Sequence, residues 1–346
     1  ISAGCISVIE ESEAPTYAVI TTLDLDKDGD PESTAILGDC GNIYASSKGL
    51  FLCENIYTKK AEETTKIYRF EYTDTGVEYK CAGVVDGYLN DQFSMSYDGE
   101  YFRVATTANK TKVEGDMVSM SVDDRVNNLY ILNNDMKIVG KVEDLAKGET
   151  IQSVRFVGNM AYVVTFRQTD PLFVIDLSNP EKPTVKGELK IPGFSEYLHP
   201  ITENLLVGVG QDGTQTGVNG DCKVSLFDVS NPYEPKESSV LKVSNGAYCH
   251  TTVGYNHKVY ITLSDNEFAV PFTVDWYINS NNELSQSGCY YIRYRLTTDG
   301  LCEVARYRMG SNNLQIMGAT YVEDTFYAVT NSYEDGTFVT AFDLVT

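Results

Sequence analysis

The sequence has few basic residues and no cluster of them. Its 346 residues include 27 Lys plus Arg against 49 Asp plus Glu, which gives a formal net charge of −22. The longest basic run is the pair Lys59 and Lys60. Proteins that bind nucleic acids or anionic membranes present basic patches, because they must neutralise phosphate charges. We therefore expect no nucleic-acid partner.

Long apolar runs are also missing. A membrane-spanning helix needs about 18 continuous apolar residues, and the longest apolar strings here, such as 162–166, are much shorter. The chain opens with Ile1-Ser2-Ala3-Gly4, without an initiator Met or a leader pattern. We expect a monomeric chain without a transmembrane segment, cut from a longer exported precursor.

Motifs for metal binding and catalysis are absent. None of the eight cysteines forms a CxxC pair and no histidine lies at zinc-finger spacing from them, so no zinc site is expected. The sequence contains no GxSxG, HExxH or GxxxxGK[ST] motif. Acidic residues are too numerous for any pair to be singled out as catalytic. The sequence therefore favours a protein that is not an enzyme.

Strand patterns are present along almost the whole chain, whereas helical spacing is not sustained. The best helical candidate, 142–147, is one or two turns long. Residues 153–166 form a hairpin pattern, in which β-branched and aromatic residues flank the turn dipeptide Gly158-Asn159. The same pattern recurs five times, at 42–55, 92–107, 195–210, 249–264 and 315–332.

A second repeated sequence motif follows the hairpins. It ends a strand in Asp-Leu-Ser-Asn-Pro at 176–180 and in Asp-Val-Ser-Asn-Pro at 228–232. The Asp and Asn side chains of such a motif bond the backbone two residues further on, and Pro fixes the corner. Another strand follows each turn, so each unit contains four strands.

Four-stranded antiparallel units that repeat every 40 residues or more are typical of a β-propeller. We predict an all-β fold in which residues 1–346 form one β-propeller domain. Six hairpin phrases and an additional N-terminal pair at 17–37 favour seven blades, with six or eight as alternatives. The two ends of the chain are predicted to hold incomplete blades, and pairing between them would close the ring.

Three segments carry a family resemblance: 152–156, 162–177 and 187–200, which ends in Tyr-Leu-His-Pro. This run resembles secreted bacterial and archaeal proteins that contain a C-terminal β-propeller domain. The resemblance is strongest over 150–235 and extends from about residue 17 to the end. It implies an exported propeller domain without an assigned activity, preceded in the whole protein by further sequence.

One acidic loop has the composition of a calcium site. Carboxylates alternate through the loop and converge around Gly29, which permits a tight turn. An EF-hand is excluded because Ala35 stands where its last ligand, a Glu, is required. The loop instead resembles the calcium hairpins of integrin-type propellers. The predicted ligands are Asp24, Asp26, Asp28, Asp30 and Glu32; an empty, solvated acidic turn is the alternative.

Candidate ligand-binding residues lie on the first strands of the units, because first strands line the central channel of a propeller. His199 and His250 occupy first-strand regions of adjacent units and are predicted to face one funnel with Glu196 and Tyr197. Local hydrogen bonding that fixes blade packing is the alternative. Arg167 and Asp170 lie near the start of the third strand of their unit. They are predicted to hold a ligand between them, and a structural ion pair is the alternative.

The leading hypothesis is a non-catalytic binding or scaffold domain of an exported or cell-surface protein, with a protein or carbohydrate ligand. It rests on analogy of fold and on the missing catalytic motifs. The alternative is an extracellular hydrolase or lyase that acts on glycans in the funnel. A third class, structural adhesion in a cell envelope, predicts a large exposed apolar patch.

Overall fold

A computed structural model describes twelve segments of the chain: 6–8, 16–23, 25–26, 31–57, 63–74, 76–114, 117–167, 170–214, 217–244, 247–275, 287–311 and 313–344. Strands dominate these segments, and their helical turns are two short 3-10 turns, Gln92–Ser94 and His257–Val259. No helix within the described segments has the length and apolar character needed to cross a membrane.

The first half of the chain contributes eleven strands to three sheets. In chain order they are β1 (Ile6–Val8), β2 (Tyr17–Thr22), β3 (Glu32–Leu37), β4 (Asn42–Ser46), β5 (Gly49–Tyr57), β6 (Glu63–Thr73), β7 (Gly76–Asp86), β8 (Met95–Tyr97), β9 (Phe102–Glu114), β10 (Met117–Leu132) and β11 (Ile138–Leu145). The sheet orders are β1-β3-β2, β4-β5-β6-β7 and β8-β9-β10-β11. All pairings are antiparallel except that of β1 with β3.

Four further sheets follow. Their strands are β12 (Thr150–Val157), β13 (Met160–Phe166), β14 (Asp170–Asp176), β15 (Thr184–Ile191), β16 (Phe194–Thr202), β17 (Leu205–Thr214), β18 (Gly217–Asp228), β19 (Lys236–Lys242), β20 (Cys249–His250), β21 (Ile261–Ser264), β22 (Glu267–Val274), β23 (Gly288–Thr297), β24 (Gly300–Gly310), β25 (Gln315–Val322), β26 (Thr325–Ser332) and β27 (Gly336–Asp343). The orders are β12-β13-β14-β15, β16-β17-β18-β19, β20-β22-β23-β24 with β21 also on β22, and β25-β26-β27.

The all-β fold of four-stranded antiparallel sheets is thus confirmed, with seven sheets in the described segments. The sheets at the two ends of the chain have three strands each, as the prediction of incomplete terminal blades requires. The chain divides into two compact units. One comprises 1–151 and 176–185, and the other comprises 152–175 and 186–346.

Two details of the sequence interpretation are wrong. Residues 249–264 do not form a hairpin: β20 and β21 both pair with β22, and the 3-10 turn His257–Val259 separates them. The helical candidate 142–147 is the end of β11 and a turn, in which Asp144 and Ala146 have positive φ. The local sequence of such segments fits a strand, a turn or a helix equally well. Which of these forms depends on pairing with a neighbouring strand.

The repeated Asp-x-Ser-Asn-Pro turn forms by the predicted mechanism. The Asp228 carboxylate accepts a hydrogen bond from the Ser230 N–H at 3.0 Å, and the Asn231 side chain accepts one from the Tyr233 N–H at 3.2 Å. The turn packs against the preceding sheet, since a Cβ at Gly187 would lie 2.4 Å from the Pro232 carbonyl oxygen. Only glycine fits that position on β15.

Each unit has its own hydrophobic core. In the first unit, Phe51, Phe102 and Tyr130 are among the residues that pack together with little or no exposure. In the second unit, Tyr162 and Phe227 belong to a similar cluster between sheets β12–β15 and β16–β19. Strands buried on both faces explain why the sequence has apolar runs instead of strict alternation.

Candidate functional site

A β-bulge in β16 determines how the predicted site residues are presented. The register of β16 against β17 shifts between Ser195 and Tyr197, so that Glu196 is the extra residue. Gly210 on β17 makes this close approach possible, because a Cβ there would lie 2.1 Å from the Phe194 carbonyl oxygen. Bulges of this kind change the direction in which side chains point.

After the bulge, Tyr197 and His199 are close to each other. The Tyr197 hydroxyl and His199 Nδ1 are 3.2 Å apart. Arg155 of β12 places its guanidinium 5.1 Å from the centroid of the Tyr197 ring and donates from Nε to the Leu198 carbonyl at 2.7 Å. The guanidinium is therefore held over an aromatic face.

Tyr260, between β20 and β21, completes the group. Its ring stacks on His199 at a centroid distance of 4.1 Å and lies 5.5 Å from Tyr197. Tyr260 is only 7% exposed, and within the described segments its hydroxyl has no hydrogen-bond partner. We call Arg155, Tyr197, His199 and Tyr260 the aromatic cluster.

The aromatic cluster keeps its imidazole uncharged. Burial lowers the pKa of His199 to about 4, and the nearby Arg155 charge adds to the effect. Burial also raises the pKa of Tyr260 far above its usual range. At neutral pH the cluster therefore carries one positive charge, on Arg155, and presents neutral aromatic groups beside it.

Glu196 has different neighbours from the aromatic cluster. Gln211 Nε2 donates to Glu196 Oε1 at 3.3 Å, and a Cβ at Gly254 would lie 3.1 Å from the Glu196 Cβ. Burial raises the pKa of Glu196, although the Gln211 hydrogen bond opposes the shift. The described side-chain partner of Glu196 is thus Gln211, whereas that of Tyr197 is His199, and a shared ligand site for the three predicted residues stays a prediction.

The other predicted ligand-binding residues lie apart. His250 is on β20, at the first-strand position that the sequence predicts, but its side chain is exposed and makes no described ring contact with His199. Arg167 is exposed just after β13. Asp170 begins β14, and its side chain lies outside the described part of the structure. A role for these three residues in ligand binding stays a prediction.

The predicted calcium loop is described only in part. Asp24, Asp28 and Asp30 lie outside the described residues, while Asp26 is exposed in a turn and Glu32 is exposed at the start of β3. Among the described residues, no group of three or more His, Cys, Asp and Glu side chains is arranged to hold a metal ion. The calcium site therefore remains a prediction.

Sequence reasoning missed Arg155 and Tyr260. A signal for Arg155 exists, because it is the charged residue in the first strand 153–157. Ser153, on the same strand, donates to the Ser195 carbonyl at 2.7 Å, so two polar side chains of β12, Ser153 and Arg155, hydrogen-bond to β16. Tyr260 gave no signal, because residues 249–264 were interpreted as a hairpin that does not form.

Comparison with known proteins adds two archaeal relatives. An uncharacterised protein of Methanocaldococcus jannaschii is 46% identical over 163 residues, which are 47% of this chain and 24% of the relative. An uncharacterised protein of Archaeoglobus fulgidus is 42% identical over 186 residues, 54% of this chain and 27% of the relative. The matched region thus spans about a quarter of the length of each relative.

A putative 6-phosphogluconolactonase from Bacteroides uniformis is similar in structure, with a TM-score of 0.45 and 10% sequence identity over 95% of each chain. A likeness at this level carries no information about activity. The family described as the beta propeller domain matches residues 1–340. This match covers nearly the whole chain and agrees with the repeated antiparallel sheets, so the chain belongs to the beta propeller domain family.

Proposed function

We propose that this chain is the non-catalytic ligand-binding domain of an exported or cell-surface protein, and that it binds a neutral saccharide at the aromatic cluster. The observation that supports the proposal is the Tyr260 hydroxyl, which is buried beside a neutral imidazole and has no described hydrogen-bond partner. A buried polar group without a partner costs about 1–3 kcal/mol. Because the hydroxyl is buried, a ligand reaches it only when a neighbouring side chain moves, and the new hydrogen bond then recovers part of this free energy.

The chemistry of the cluster suits a saccharide. The partly exposed imidazole of His199 and guanidinium of Arg155 can exchange hydrogen bonds with hydroxyl groups, and the buried rings of Tyr197 and Tyr260 form the apolar support beside them. Binding sites for small molecules typically combine apolar walls with a few polar groups in this way. A net charge of −22 disfavours polyanionic ligands, which leaves neutral saccharides as the favoured class.

A hydrolase or lyase is the weaker alternative. Glycoside hydrolysis usually requires two carboxyl groups on either side of the scissile bond. The aromatic cluster contains no carboxyl group, and Glu196 has Gln211 as its described partner. These neighbours favour binding over catalysis at this site.

Isothermal titration of the purified chain with a panel of neutral oligosaccharides tests the proposal. We expect at least one to bind, and Tyr260→Phe to weaken its affinity about tenfold, because the variant lacks only the hydroxyl. Tyr130→Phe is the matched control: the Tyr130 hydroxyl is also buried without a described partner, but it lies in β10. That variant is expected to bind normally.

Absence of binding across the panel, or equal loss in both variants, would contradict the proposal. Analysis of the saccharides after incubation separates the two functions: cleaved products would favour the hydrolase or lyase. Export is tested by cell fractionation of the source organism with an antibody against the chain, and a purely cytoplasmic signal would argue against it.

A further inference from the structure

The segment that leads into β20 is held against residues 221 and 222 of β18. The Val243 N–H donates to the Cys222 carbonyl at 3.0 Å, and the Ser244 N–H donates to Asp221 Oδ1 at 2.9 Å. The Ser244 hydroxyl also donates to the Ala247 carbonyl at 2.6 Å. The chain after β19 thus continues alongside β18, beside residues 221–222.

The next residues continue this close approach. A Cβ at Gly220 would lie 3.1 Å from Tyr248 Cδ2 and 3.8 Å from Tyr248 Cα. The backbone of residue 220 and that of residue 248 are therefore neighbours. This proximity is of the order required for a disulfide, whose Cα atoms are typically about 4.4–6.8 Å apart.

Two cysteines follow directly on these neighbouring segments. Cys222 and Cys249 are both 0% exposed, and both are thiols in the structure. Strands β18 and β20, which carry them, are in contact, and Cys249 adds to the rise that burial causes in the pKa of the Cys222 thiol. The Gln211 amide also donates to Cys222 Sγ, at 3.8 Å.

Other cysteines in the described segments have partners of a different kind. Cys53 donates to the Met95 sulfur at 3.4 Å, and Cys289 donates to the Leu314 carbonyl at 2.9 Å. Cys81 likewise donates to a backbone carbonyl, that of Asn134. Each of these thiols donates to a group other than a cysteine, although Cys40 lies near Cys53 and adds to the rise that burial causes in its pKa. Cys222 and Cys249, by contrast, lie on strands that contact each other.

We propose that Cys222 and Cys249 form a structural disulfide as the chain folds in the presence of a small-molecule disulfide such as glutathione disulfide. One protein thiolate attacks a sulfur of glutathione disulfide, which gives a mixed disulfide and releases one glutathione thiolate. The second protein thiolate then attacks the protein sulfur of the mixed disulfide and releases the second glutathione. The two protein thiols are oxidised, and glutathione disulfide is reduced to two thiols.

The bond forms during folding, before the sheets close. In the folded chain both sulfurs are inaccessible to an external oxidant, and burial raises the pKa of the Cys222 thiol well above its usual range, so little thiolate is present. The disulfide covalently joins the sheet of β18 to the sheet of β20, both in the second unit. Disulfides of this kind persist in oxidising compartments.

Peptide mapping tests the proposal. The chain is unfolded, reduced, refolded in a glutathione redox buffer, blocked with iodoacetamide under denaturing conditions and digested with trypsin without reduction. We expect one linked product that contains peptides 191–223 and 243–258, and six of the eight cysteines alkylated. Cys53→Ala is the matched control, because it removes a buried thiol whose partner is Met95, and it is expected to keep the linked product.

A melting experiment gives a second test. Reduction is expected to lower the Tm of the refolded wild-type chain by roughly 5 °C, because the closed loop no longer restricts the unfolded chain. The Tm of Cys222→Ala/Cys249→Ala is expected not to respond to reductant. Separate alkylation of Cys222 and Cys249 in the refolded wild type, or linkage of either to another cysteine, would overturn the proposal.

Discussion

The imidazole of His199 stacks on the phenol of Tyr260, with centroids 4.1 Å apart and ring planes inclined by 20°. Burial, to which this stacking contributes, lowers the pKa of the imidazole, and the Arg155 guanidinium further disfavours its protonation. The result is a histidine that is neutral at physiological pH and able to exchange hydrogen bonds with an uncharged ligand. Because protonation of this buried imidazole is unfavourable, we expect the folded chain to be less stable in acid.

The first prediction concerns this sensitivity. The pKa of His199 is about 4 in the folded chain against an ordinary value of 6.5, so the unfolded chain binds more protons between these values. The free energy of unfolding is therefore expected to fall as the pH decreases from about 6.5 to about 4. Thermal melts across this range should show a shallower dependence for His199→Gln than for wild type. His250→Gln, which changes an exposed histidine, should follow wild type; equal slopes in all three would contradict the prediction.

Glu196 is expected to have the opposite effect. Because burial raises its pKa, the contribution of Glu196 to stability is full below its ordinary value of 4.5 and is lost as the pH rises through the folded-state value. Glu196→Gln keeps the acceptor for Gln211 and removes the charge. Its Tm should match wild type at pH 4 and exceed it at pH 8, while Glu203→Gln in the exposed β16–β17 turn should be neutral at both. If Glu196→Gln were less stable than wild type at pH 8, the carboxyl group of Glu196 would not have a pKa raised by burial.

A third prediction concerns a buried ion pair in the sheet of β16–β19. Lys223 Nζ lies 3.1 Å from Glu237 Oε1, with side-chain exposures of 3% and 16%, and also donates to the Pro192 carbonyl. Lys223→Met leaves the carboxylate without its cation and is expected to destabilise the chain by about 3–5 kcal/mol in denaturant unfolding. Lys190→Ala breaks the exposed pair with Glu188 on β15 and should cost less than about 1 kcal/mol. Similar losses of unfolding free energy in the two variants would contradict the prediction that the buried ion pair matters more than the exposed one.

The fourth prediction tests the β16 bulge. Gly210→Ala places a methyl group 2.1 Å from the Phe194 carbonyl oxygen, so the backbone around Glu196 must move. We expect a loss of about 3 kcal/mol or more and a change in the near-ultraviolet circular dichroism of the tyrosines. Gly318→Ala on β25 is the control, because nothing lies within 4 Å of the added Cβ. Equal stability of the two variants would show that the bulge is not as tight as described.

Calcium binding gives the fifth prediction. If the loop from Asp24 to Glu32 holds the ion, millimolar calcium should raise the Tm, because the ligand prefers the folded chain. Asp26→Asn and Glu32→Gln should each reduce the shift, since both replace a charged oxygen ligand. Asp135→Asn, in a turn of another sheet, serves as the control. The site is refuted if calcium leaves the Tm of the wild type unchanged.

Much of the fold could be predicted from the sequence, because its signals are local. The hairpin at 153–166 and the turn at 228–232 depend on residues close together in the chain, and the structure reproduces both. Residues 249–264 were misassigned, since β20 and β21 are defined by their shared partner β22 and not by their own composition. The β16 bulge was also not predictable, because a register shift is a property of two strands together.

By itself, the sequence determined the local features of the chain. These are the repeated strand-forming segments, the large negative charge and the turns that form where Asp, Asn and Pro recur. These follow from the backbone preferences of individual residues and from their net charge. Only the tertiary structure decided which side chains meet. It placed Arg155 and Tyr260 around His199 and brought Cys222 to Cys249, because such contacts join residues far apart in sequence. Their free energies depend on burial, which no local pattern specifies.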